Sequence, residues 1–178
     1  IIFFLTGIIF SGNIATLLGA NKQVYHMTSI YLKVLLMFGP AFVLNNVMNA
    51  FVRNDGNPKL SMIAMLVGSF GNIILDYLLV IKFSMGMFGA VLATGFSPIM
   101  GLMVLSGHIV SENSNIKFKV AKIRASFIKS IIMLGIPSFV TEMSSGIVIF
   151  VFNIIILGLQ GNVGVAAYGV IANLALVV

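Results

Sequence analysis

The chain has no cysteine, two histidines and only four acidic residues: Asp55, Asp76, Glu112 and Glu142. Without cysteine there can be no disulfide, no thiolate metal site and no cysteine nucleophile. His26 and His108 sit at the ends of apolar runs and lack metal-ligand spacing, so a transition-metal centre is not expected. No nucleophile, base and acid recur in a pattern that would support catalysis, and the expectation is a protein that is not an enzyme. The glycine-rich stretches "GAVLATG" and "GNVGVAAYG" follow no strand, which excludes a phosphate-cradling loop. No cofactor is implied.

Charge of any kind is scarce. Charged residues make up 8% of the 178 residues, hydrophobic ones 60%, and mean hydropathy is +1.14. A soluble domain carries roughly 25% charged residues. The composition is that of a polytopic all-α membrane protein, a helical bundle whose first partner is the lipid bilayer. The net charge of +6 does not point to nucleic acid, because the basic residues fall between the apolar runs and read as topology signals.

Six segments reach or approach the roughly 20 apolar residues a spanning helix needs: 1–18, 30–51, 60–81, 87–110, 130–158 and 163–178. "GLQGNVG" at 158–164 favours a turn between the last two. Gly135 and Pro137 offer a kink near the start of 130–158. Loops 52–59 and 111–129 hold Arg53, Lys59, Lys117, Lys119, Lys122, Arg124 and Lys129, whereas the other side holds Lys22 and Lys82, with Lys33 at its border. This asymmetry makes the first set cytoplasmic. In 111–129, Ile116, Val120, Ile123 and Phe127 recur at helical spacing among basic residues, which suits a short helix on the anionic inner leaflet. The chain starts without Met and stops inside an apolar run, so it reads as an internal piece of a longer protein.

Two carboxylates fall inside spans, where an ionisable group is costly and marks a functional site by default. On 60–81, Ser61, Met65, Gly68, Ser69, Asn72 and Asp76 form one stripe, with Asn72 and Asp76 at i,i+4. On the next span Ala90, Thr94, Ser97 and Gly101 form a small, hydroxyl-bearing stripe, and Thr94 is expected at a depth similar to Asp76. Carboxylate, amide oxygen and hydroxyl together could take a proton or a hard monovalent cation such as Na+. Glu142 shares a stripe with Ser138, Ser145, Gly146, Ile149 and Asn153, and could attract cationic substrates or carry a second coupling ion. The alternative for Asn72, Thr94 and Glu142 is plain interhelical packing and hydrogen bonding.

The stretches 31–80, "GMFGAVLATGFS" (86–97), "LGIPSFVTEMSSGIVIFVFN" (134–153) and "GVAAYGVIANLAL" (164–176) together resemble the MATE family of multidrug and toxic-compound extrusion transporters. The order R-x-x-G-x-P at 53–58, then N-x-x-x-D at 72–76, carries the likeness. The resemblance implies twelve helices in two lobes, exporting organic cations against inward Na+ or H+. Residues 1–110 would belong to the amino-terminal lobe, 111–129 to the inter-lobe linker and 130–178 to the start of the carboxy-terminal lobe. Family members with an amino-terminal cation site join an aspartate of the first helix to an Asn, Asp and Thr that Asn72, Asp76 and Thr94 match. That aspartate would lie on helices outside this chain. Glu142 resembles a seventh-helix glutamate, displaced by about one helical turn toward the Gly-x-Pro motif. Bacterial plasma membrane is the expected location. A lipid-linked oligosaccharide flippase of related architecture is the alternative function, and a non-transporting scaffold or channel subunit a third.

Overall fold

The computed structural model describes residues 2–20, 22–110 and 125–175, and they are helical with short connections. The proposed surface helix around Ile116, Val120 and Ile123 lies outside the described residues. Two compact units divide the chain, 1–119 and 120–178.

In the first unit α1 (Ile2–Leu17) packs on α2 (Tyr25–Met37), and α3 (Gly39–Asn54), α4 (Pro58–Asp76) and α5 (Gly86–Val110) pack on one another. The apolar run 30–51 is not one straight helix. α2 and α3 meet at a 46° bend, where Pro40 in the first turn of α3 brings no N–H to continue the ladder. Phe38 fills the bend, with its ring 5.5 Å from that of Phe96 on α5. α3 closes with Gly56 at φ +87 and the Asn57 N–H donating to the Val52 carbonyl at 3.1 Å, the left-handed cap that glycine favours. Asn57 then caps α4 by accepting from the Leu60 N–H at 3.2 Å, with Pro58 in the first turn, where its missing N–H costs nothing.

α4 and α5 form the main antiparallel pair. Small residues let them approach: the Ser97 hydroxyl donates to the Gly68 carbonyl at 2.9 Å, and Gly101 faces the Ala64 carbonyl. Toward the α3–α4 loop Val52, Ala64 and Leu105 form a small core, with Met48, Leu60 and Val104 around it. Elsewhere large apolar side chains stay exposed, among them Phe70, Ile73 and Met103, as expected of surfaces that meet lipid or further helices.

The second unit is α6 (Ala125–Ala175), which passes through Pro137 and breaks at Gly161. Phe152 and Tyr168 stack with centroids 5.6 Å apart. Sixteen residues of straight helix would separate them by about 24 Å, so the chain reverses at Gly161. Its φ of 64° and ψ of −157° fall in a region open almost only to glycine. Gly161→Val should destabilise this reversal by about 1–3 kcal/mol, read as a lower melting temperature of the full-length protein in detergent.

Candidate cation-coupling site

α4 carries Ser61, Gly68, Asn72 and Asp76 along one face, as their spacing requires. Asn72 and Asp76 are half-buried. The Asn72 Nδ2 is shielded from solvent and has no hydrogen-bond partner, an arrangement that costs about 1–3 kcal/mol unless something supplies an acceptor. Gly68 opposite Ser97, Ala64 opposite Gly101 and Leu79 opposite Gly89 set the register of α4 against α5. By that register Thr94 lies level with residues 71–74, and Asp76 about one turn further toward the carboxy-terminal end of α4. The Thr94 hydroxyl donates to the Ala90 carbonyl at 3.0 Å, which leaves its oxygen free to accept or to ligate. The three residues thus come from two packed helices, staggered along them, with the amide and hydroxyl sharing a level.

A polar hollow of about 350 Å³ opens on the amino-terminal side of these residues along α4, between α3, α4 and α5. Asn45, Asn49 and Arg53 line it from α3, Ser69 from α4 and Ser97 from α5. Asn49 accepts a hydrogen bond from the Ser61 hydroxyl. The Asn45 Oδ1 is buried without a partner, and a Cβ at Gly101 would stand 2.7 Å from it. Asn45, Asn49 and Arg53 are absent from the sequence-derived candidates, although their spacing of four residues marks a common helix face.

His108 is not a solvated interfacial histidine. Only 6% exposed, its Nε2 lies 2.9 Å from the Asp55 carboxylate. Its Nδ1 lies 3.4 Å from the Asn57 amide nitrogen. Because the Asn57 oxygen already caps α4, its NH₂ must donate to Nδ1, and the ring proton then sits on Nε2 and is donated to Asp55. This chain of hydrogen bonds ties the α3–α4 loop to the carboxy-terminal end of α5. Nothing in the sequence pairs residues so far apart.

Glu142 belongs to the second unit. It is exposed, in a shallow hollow with Phe139, Met143, Gly146, Ile147 and Phe150. Ser138 and Ser145 are exposed and Asn153 is half-buried. Ser145 donates to the Thr141 carbonyl at 3.1 Å. A carboxylate flanked by two phenyl rings and a thioether is chemically suited to an amphipathic cation.

Apolar helices, an intramembrane Asn–Asp pair and a polar hollow beside it define a polytopic membrane protein with a built polar interior. Residues 1–78 match the MatE family profile. The chain is 32% identical over 172 residues to the multidrug export protein MepA of Staphylococcus aureus (strain bovine RF122 / ET3-1), covering 96% of this chain and 38% of that one. The Staphylococcus saprophyticus MepA is 31% identical over 159 residues, covering 88% of this chain and 35% of that protein. An inward-facing multidrug resistance MATE family transporter superposes with a TM-score of 0.82 at 25% identity, over 94% of this chain and 40% of that one. An outward-facing MATE family transporter gives 0.73 at 28% identity, over 94% and 39%. The chain belongs to the MATE family, whose members are transporters and not enzymes. It spans about two fifths of the length of these relatives. Its relatives and apolar helices are those of a bacterial plasma-membrane protein.

Proposed function

We propose that this chain forms part of a secondary active exporter of amphipathic organic cations, driven by Na+ or H+ entering through a site that includes Asn72, Asp76 and Thr94. The observation that carries this reading is the half-buried intramembrane Asn72–Asp76 pair, four residues apart on one helix face, in a chain similar to multidrug export proteins. A carboxylate that changes protonation or cation occupancy within the span can bias the lobes between inward- and outward-open states. A lipid-linked oligosaccharide flippase would call for a basic interior facing a pyrophosphate, whereas the polar hollow has Arg53 as its one basic lining residue and the embedded candidates Asp76 and Glu142 are acidic.

Expression of the full-length gene in an efflux-deficient host tests the assignment. Glu142→Gln should slow efflux of cationic dyes several-fold while sparing neutral ones, because it removes a charge and keeps shape. Dissipating the Na+ and H+ gradients separately identifies the coupling ion. Wild-type efflux with neither Asp76→Asn nor Glu142→Gln affected would sink the site. Absence of efflux, with a lipid-linked oligosaccharide accumulating on gene loss, would establish the flippase instead.

A further inference from the structure

The outer end of α4 is wound differently from the rest of the helix. From Tyr77 to Lys82 the backbone follows a π-helix. The Phe83 N–H donates to the Leu78 carbonyl, five residues back, at 2.9 Å, and the Met85 N–H to that of Leu79, six back, at 3.0 Å. Such turns hold one residue more than an α-turn needs, are rare, and recur at functional sites. This one begins at the residue after Asp76. The local sequence, "YLLVIK", contains no proline or glycine to force it. What accompanies it is tertiary. Gly89 of α5 lies so close that a Cβ there would stand 3.0 Å from the carbonyl carbon and oxygen of Leu79, and Ser84 at φ 52° and Gly86 at φ 55° close the connection.

We propose that this π-turn is the moving part of the coupling site, shifting along α4 as the cation binds and leaves. The inference rests on the reading of Asp76 as the coupling residue. A π-bulge counts as one inserted residue, so moving it past a position turns that side chain by about 100° about the helix axis. Hydrogen bonds are exchanged in the shift, not lost, and the rest of the helix stays in place. In this structure the bulge lies on the outer side of Asp76, so Asp76 and Asn72 keep α-helical spacing and share a face. Once the bulge passes inward of Asp76, the carboxylate turns off the stripe and leaves Asn72 and Thr94. A cation held by both side chains therefore favours the observed winding, and an empty site releases it. These are two discrete arrangements of one element with different cation affinity, which is what a coupling device requires. Gly89 is necessary because any side chain there would push α5 off the Leu79 carbonyl.

The test is backbone hydrogen–deuterium exchange of the purified full-length transporter. Amides of 72–83 are followed in NaCl against choline chloride, and at low against high pH. Whichever ion is coupled should slow exchange in this stretch about tenfold, the scale of typical coupling between sites, in wild type but not in Asp76→Asn. Deleting Leu79 removes the inserted residue and should abolish both the response and the cation dependence of efflux. Gly89→Ala, which keeps the chain length, should raise the cation concentration for half-maximal efflux about tenfold, and it decides the matter if the deletion variant fails to reach the membrane. Exchange insensitive to both ions, or unchanged half-saturation in Gly89→Ala, overturns the moving turn. If Asp76→Asn also stays fully coupled, the coupling site falls with it; if Asp76→Asn is uncoupled, only the moving turn falls.

Discussion

Asp76→Asn in the full-length protein should abolish cation-driven efflux and at the same time make the protein more stable. The substitution preserves shape and hydrogen-bonding capacity but removes the charge that the proposed coupling needs. A carboxylate at the centre of a span costs about 2.5–3.5 kcal/mol on insertion scales, and less toward the end where Asp76 lies, and none of the other described residues forms an ion pair with it. Removing that cost while removing function is the signature of a site kept for its chemistry and not for packing. Reconstituted vesicles loaded with a fluorescent organic cation would read transport, and thermal unfolding in detergent would read stability. Coupled transport at the wild-type rate would contradict the assignment. A lower melting temperature with proportionate loss of activity would mean that Asp76 is structural.

The second large effect is expected at the other end of the same helices. Asp55→Ala should destabilise the full-length protein by about 1–3 kcal/mol, because the buried His108 Nε2–H loses its acceptor. Asp55→Asn should cost less, since an amide oxygen can still accept from the His108 Nε2–H. A double-mutant cycle of Asp55→Ala with His108→Ala isolates the pair. The 2.9 Å contact and the burial of both side chains predict non-additivity well above the few tenths of a kcal/mol seen for independent sites. Additive losses would show that the tie is incidental. Asn57→Ala should act through both of its bonds, removing the α4 cap, about 1 kcal/mol, along with the partner of Nδ1.

How much was legible beforehand differs from residue to residue. Asn72 and Asp76 stand out because four-residue spacing within one helix is a local property that any α-helix converts into a shared face. Gly161 was foreshadowed by a cluster of turn-forming residues, since only glycine tolerates its backbone angles. The bend at Phe38 could be read from Gly39–Pro40, yet the apolar run continues through it and hides it. His108 illustrates the limit. At a span end it has the character of a solvated residue, and its burial depends on Asp55 and Asn57, more than fifty positions away.

Taken alone, the amino-acid order determined the membrane class and the polar stripes, because each depends on transfer energies and helical periodicity within a single segment. The tertiary structure alone decided that Thr94 stands level with Asn72, that three asparagine- and serine-bearing faces enclose a polar hollow, and that a π-turn follows Asp76. These depend on the register between helices, set where glycine and serine let backbones touch. A one-residue slip in that register would leave every local pattern intact and separate the groups the site requires.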